Sequence, residues 1–281
     1  MRRGWKIFWI VCGVTAGIGL ACCVAAWGLG VTTEALHSRF PNGIGFGVIH
    51  WDDESEDAGE YIAEDIHQSF HEVRKINAEI FAGEVEVLTS DSEDIIVETD
   101  GISEKLGFRC YMENNELKLS TKKNLTHINH IGIGTIRIYL PKEAKLGEVS
   151  LDIGAGTLYV EDVCAESFSV DVGAGEAEID HFSAAKVDLN CDTGSLTARG
   201  SADLDMEIEC GVGEIQYTAE GEEHEFNYDI ECGIGEIICG ENSYSGLSVE
   251  KRIDNGANKE MQIECGVGNV TVEFEEMHHE E

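Results

Sequence analysis

The sequence predicts an all-β fold, a single-stranded parallel β-helix (β-solenoid) with coils of about 19 residues, preceded by an N-terminal transmembrane helix. Three observations carry that expectation. Glycines recur at a fixed interval inside a repeated hexapeptide. The apolar residues around each glycine alternate with period two and change parity at the glycine. A long uncharged stretch stands near the N-terminus, apart from the repeats.

The chain has 281 residues, of which 42% are hydrophobic, enough to build a substantial core. It has 32 glycines but only 2 prolines, a balance that favours tight corners within ordered structure over a flexible linker. With 19 Lys+Arg against 55 Asp+Glu, the formal net charge is -36. Such a field repels nucleic acid phosphates and anionic lipid headgroups. It suits cationic partners or divalent ions, or simply solubility outside a cell.

Residues 1–6 form a short basic tail with Arg2, Arg3 and Lys6. Residues 7–31 carry no charge, and about 20 apolar residues span a bilayer as a helix. Basic flanks stay cytoplasmic, so the C-terminal part is expected outside the membrane, as in a single-pass cell-membrane protein. Two rivals exist: a cleaved signal peptide, and a lipoprotein site at Leu20-Ala21-Cys22-Cys23. The apolar run is longer than a usual signal core, no clean cleavage site follows it, and it continues to Val31. Residues 32–72 form an acidic juxtamembrane segment with a solvated run at 52–57. Ile62, Ile66, Phe70 and Val73 have the spacing of a short amphipathic helix. His67 and His71 lie one helical turn apart, a metal-compatible spacing, although two solvated histidines are the simpler reading.

The β-solenoid is expected over residues 73–275. Gly156, Gly175, Gly194 and Gly213 are 19 residues apart, Gly235 follows after 22 and Gly268 after 33. They close the hexapeptides Leu-Asp-Ile-Gly-Ala-Gly (151–156), Val-Asp-Val-Gly-Ala-Gly (170–175), Leu-Asn-Cys-Asp-Thr-Gly (189–194), Ile-Glu-Cys-Gly-Val-Gly (208–213 and again 263–268) and Ile-Glu-Cys-Gly-Ile-Gly (230–235). Weaker relatives end at Gly83 and Gly134. Leu151, Ile153 and Ala155 face one way, and beyond Gly156 the apolar positions become Leu158 and Val160. A parity shift at glycine marks a corner. One such coil buries too little to stand alone, so coils must stack. A β-sandwich is the rival, and a 19-residue period fits it poorly. The stretch 241–259, with Tyr244, Lys251, Arg252 and Asn255-Gly256, is expected to be a loop. The acidic end, including the tail 276–281, would blunt the open end of the solenoid.

The segment Ile76-Asn77-Ala78-Glu79-Ile80-Phe81-Ala82-Gly83-Glu84-Val85-Glu86-Val87 resembles the opening strand of a bacterial family labelled "putative adhesin", otherwise a domain of unknown function. Ile136-Arg137-Ile138-Tyr139-Leu140-Pro141 is similar to that family's strand ending in Leu-Pro. The repeats from Leu151 to Gly200 resemble its glycine-cornered coils. The resemblance implies a β-helix, a frequent N-terminal membrane anchor and occurrence in Gram-positive envelopes, with some relatives associated with envelope stress. It implies no catalytic residues. Here cysteines and longer acids replace the more usual small polar residues near the corners.

Two columns of residues are candidates for chemistry. Cys191, Cys210, Cys232 and Cys265 each stand three residues before a corner glycine, in the slot that Ile131, Ile153 and Val172 fill elsewhere. That is a core slot, so buried free thiols are expected, with disulfides as the alternative and a metal disfavoured. Asp152, Asp171, Glu209, Glu231 and Glu264 share the slot four residues before the corner, interrupted by Asn190, and Glu176, Glu214 and Glu236 follow it. Stacked like charges repel, so either solvent screens this ladder or a divalent ion such as calcium bridges it. No other cofactor is implied, and the calcium-binding Gly-Gly-x-Gly-x-Asp repeat is absent. The Gly-x-Gly units precede no helix and form no nucleotide loop. A carbohydrate-active β-helix enzyme is the enzymatic rival, but the basic residues that such sites need are scattered. The expected function is therefore non-enzymatic: an adhesin-like or envelope-sensing module for a cell-envelope or surface ligand, with a structural spacer as a further alternative.

Overall fold

The computed structural model describes residues 65–103, 106–121 and 134–275. The anchor at 7–31, the acidic run at 52–57 and the tail 276–281 lie outside the described residues. Among the described residues no helix is long and apolar enough to cross a membrane.

The described chain is all-β, in twelve strands: β1 His67–Phe70, β2 Lys75–Ile80, β3 Gly83–Ser90, β4 Ile95–Asp100, β5 Arg109–Glu113, β6 Glu116–Ser120, β7 Thr135–Pro141, β8 Leu146–Val160, β9 Val163–Glu220, β10 Phe226–Cys239, β11 Asn242–Ile253 and β12 Lys259–Glu275. The helical spacing read from Ile62 to Val73 is overturned at β1. Residues 67–70 pair antiparallel with β4, and the backbone bonds of that ladder outweigh a weak amphipathic pattern.

The 58-residue strand β9 is a path through the repeat corners at Gly175, Gly194 and Gly213, each with positive φ, and through a further positive-φ glycine, Gly200. Strand β8 pairs with it parallel at an offset of 19 residues, as Leu151↔Val170 and Gly156↔Gly175. The corner glycines stack directly. A Cβ at Gly175 would land on the carbonyl oxygen of Gly156, and one at Gly268 on that of Gly213. Only glycine combines the required φ with that closeness of backbones.

The stacking order departs from chain order at both ends. Strands β2 and β3 lie between β8 on one side and β6 and β7 on the other, all parallel. At the far end β12 pairs with β9, as Gly268↔Gly213, and β10 pairs with β12, as Gly235↔Gly268. The last repeat of the sequence is thus inserted between its two predecessors. The physical gain is that each terminal repeat is hydrogen-bonded on both edges.

The outermost parallel strands are then covered by antiparallel ones. β4 pairs with β7, β5 with β6, and β11 with β10. The β5–β6 turn has Asn114 and Asn115 at φ 51 and 64, the left-handed pair that a two-residue hairpin requires. The expected loop at 241–259 is instead largely strand β11. Its pairing covers the β10 edge that the inserted repeat leaves exposed.

The core is a column of aliphatic and aromatic side chains inside the coils. Phe168, Phe182 and Tyr217 stack with ring centroids 5.5 and 5.9 Å apart. The buried Tyr217 hydroxyl donates to the Gly200 carbonyl at 2.9 Å, so its one polar atom is satisfied.

Candidate functional site

Each repeat presents four residue columns around the corner: a core slot, an outward acidic slot, the residue between the glycines, and the residue after them. Strand periodicity alone separates the first two, because successive side chains point to opposite faces. Stacking then turns each slot into a ladder with a rise of about 4.8 Å.

The structure brings the five sequence-predicted acids into one ladder, in the order Asp152, Asp171, Asn190, Glu209, Glu264, Glu231. The pairs Asp152↔Asp171, Glu209↔Glu264 and Glu264↔Glu231 are in register. Asn190 splits the ladder in two, and its side-chain amide donates to the Asp171 carboxylate at 3.2 Å. Half-buried among like charges, Asp171 has its pKa pushed up to about 6, first by burial and then by Asp152 and Asp192. Glu209 is raised by burial, then by Glu264. Two residues before Asn190 on the same face, Asp188 is raised by burial and then by Glu207. Among the described residues no group of three or more His, Cys, Asp and Glu has an arrangement that could hold a metal ion. His67 and His71 do not converge either: their Nδ1 atoms meet Glu98 and Asp94, each at 2.5 Å.

The cysteine slot is a core slot, as its shared use with Ile153 and Val172 implies. Cys191, Cys210, Cys265 and Cys232 are all buried and, like the other described cysteines, free thiols. Burial pushes Cys191 up to about 11. The Cys265 thiol is held well above the ordinary range by its hydrogen bond with Cys210 and by burial.

Sequence reasoning put the third column on the wrong face: it grouped Ala155 with Leu151 and Ile153, whereas the chain bends at the corner and the slot between the glycines turns outward. Between the paired glycines stand Val212, Val267 and Ile234, which are adjacent in register and 52%, 46% and 57% exposed. Most other large aliphatic side chains of the coils are buried. Glu209, Glu264 and Glu231 run along one side of this ridge, and Glu214, Asn269 and Glu236 along the other. Earlier coils place Ala155, Ala174 and Thr193 in the same slot, so the ridge belongs to one end of the stack. The enlargement from alanine to valine and isoleucine was visible in the hexapeptides, but its outward direction was not.

Comparison with known families adds the decisive observation. The model of the Toastrack DUF4097 family matches residues 73–279. The chain belongs to that family. The match covers the repeats and every strand from β2 to β12, which places the adhesin-like resemblance read from the sequence in a defined family. Among curated proteins no relative matches. Solved structures similar to the chain include a "putative cell adhesion protein" from Clostridium sporogenes, at 13% identity and a TM-score of 0.35, covering 75% of this chain and 100% of its own. A "putative adhesin" from Bacteroides fragilis has 12% identity and a TM-score of 0.32, covering 76% and 99%. A "Putative lipid binding protein" from Parabacteroides distasonis has 12% identity and a TM-score of 0.25, covering 75% and 98%. At these values the likeness establishes neither ligand nor activity for this Toastrack chain.

Proposed function

We propose that this chain is a non-enzymatic binding module of the adhesin-like or envelope-sensing kind. In this reading a single-stranded parallel β-solenoid is held outside a cell membrane by the 7–31 segment. The observation that carries it is the ridge of Val212, Val267 and Ile234, exposed in three adjacent coils and flanked by acidic ladders. Apolar side chains aligned on a rigid face and bordered by charge favour a complementary partner. The net charge of -36 directs that partner toward cationic, partly apolar surface ligands and away from nucleic acid.

The test uses the full-length protein in detergent, presented to fractionated cell envelopes. The triple variant Val212→Ser/Val267→Ser/Ile234→Ser removes the apolar ridge without adding charge. It should keep its melting temperature, because the side chains project outward, and should lose at least tenfold in retention, which corresponds to about 1.4 kcal/mol. Equal retention of variant and parent would remove the ridge from the binding surface. Release of soluble saccharide from the same fractions by the parent would favour the carbohydrate-active enzyme.

A further inference from the structure

We propose that Cys265 is the hub of a disulfide-forming site, with Cys210 and Cys232 as alternative partners on its two sides. Hexapeptides of the same type place one cysteine at the same slot of β9, β12 and β10. The swapped stacking order puts the last of them in sequence at the centre. Cys265 is in register with Cys210 on one neighbouring strand and with Cys232 on the other. Adjacent strands hold their Cα atoms about 4.8 Å apart, inside the span that a disulfide bridges. Cys210 and Cys232 are two strand spacings apart, about 9.6 Å, beyond that span.

The reaction is thiol–disulfide exchange with a small or protein disulfide, R–S–S–R. Before the stack closes, while Cys265 is solvated and its thiol titrates independently of Cys210, its thiolate attacks one sulfur of the oxidant and releases R–SH, giving a mixed disulfide. The thiolate of Cys210 or Cys232 then attacks the Cys265 sulfur and releases the second R–SH. Two protein thiols lose two protons and two electrons, and the oxidant gains them as two thiols. All three sulfurs are shielded once the stack is closed, with residues 2–3% exposed. Exchange therefore takes place while β12 is entering between β9 and β10. A Cys210–Cys265 bond ties the inserted repeat to β9, and a Cys232–Cys265 bond ties it to β10. Either one fastens the element whose withdrawal would reopen two strand edges.

The experiment is oxidation of the full-length protein with oxidised glutathione in sub-denaturing urea. Free thiols are then blocked with N-ethylmaleimide, and the protein is digested without reduction. Cleavage after glutamate is needed, because no Lys or Arg separates Cys210 from Cys232, whereas Glu214 and Glu231 do. Mass spectrometry should find Cys265 linked to Cys210 and to Cys232, and no Cys210–Cys232 link. Cys210→Val should leave only the link to Cys232, and Cys232→Val only the link to Cys210. Oxidised parent protein should melt several degrees higher than reduced protein, and Cys265→Val should abolish the difference. Linkage of Cys210 to Cys232, dominant linkage of Cys191 to Cys210, or no link at Cys265 would overturn the proposal. The two single variants keep the test intact should Cys265→Val fail to fold.

Discussion

Asn190 is the one neutral member of an otherwise carboxylate ladder, and its amide donates to Asp171. Asp171 has its folded-state pKa raised to about 6, above an unfolded value of roughly 3.9. The folded state therefore binds the proton more tightly. The resulting stabilisation is full below about pH 4 and is lost as the pH rises toward 6. Asp171→Asn should accordingly raise the melting temperature at pH 7 and have little effect at pH 4. Asn190→Asp should do the reverse, removing a donor and adding a charge, with a destabilisation on the order of 1–2 kcal/mol at pH 7 that shrinks on acidification. Thermal melts of both variants from pH 4 to 8 check these slopes. The same ladder decides the ion question. As a solvated face, it leaves the melting temperature insensitive to millimolar calcium at constant ionic strength. A calcium-dependent rise that Glu209→Gln/Glu231→Gln abolishes would establish a bridging ion instead.

At the scale of the element, the corner is the unit that makes a coil. The corner residue needs positive φ while its Cα lies against the carbonyl of the neighbouring coil. Gly175→Ala meets both obstacles and should cost about 3 kcal/mol or more, because the backbone itself must move. Gly147→Ala is the control: its added Cβ comes no closer than 3.5 Å to the Arg74 carbonyl oxygen, an ordinary contact. That substitution should change stability by less than about 1 kcal/mol. Urea unfolding of the pair measures the contrast. Strand β11 shows the opposite kind of element, one specified by its neighbour. Its residues Asn242 to Ile253 include Gly246 and the positive-φ residue Ser248, at a break in the register between Leu247 and Val249. They read as a loop in isolation and become a strand because the β10 edge offers a ladder.

Across the whole molecule, the insertion of each terminal repeat between its neighbours makes β6, β7 and β10 the outer parallel strands, and antiparallel β5, β4 and β11 cover them. It also makes the fold depend on contacts distant in sequence, since β12 bridges β9 and β10. The outer charge works with that closure, because like-charged copies resist edge-to-edge pairing. The membrane reading is a property of this scale too. If the 7–31 segment is an uncleaved anchor, the protein should stay in the membrane fraction through a high-salt wash. External protease should then remove the repeat-containing part from intact cells. Full-length protein in the soluble fraction would reject that reading.

The sequence by itself determined the all-β class, the repeat corners at Gly156, Gly175, Gly194 and Gly213, and the inside–outside sense of the cysteine and acidic slots, though not that of the slot between the glycines. These are local consequences of a two-residue strand period and of glycine's tolerance for positive φ. Gly156, Gly175, Gly194 and Gly213 announced their stacking through constant spacing, as did the burial of Cys210 through the slot it shares with Val172. The adjacency of repeats at the ends was decided only by the tertiary structure. Residues 208–213 and 263–268 are identical, and 230–235 differ from them by one methylene group, so no local preference distinguishes which pair stacks. The choice falls to the hydrogen bonds of whole strand edges. These bonds are satisfied when β12 lies between β9 and β10 and β11 covers the edge that remains.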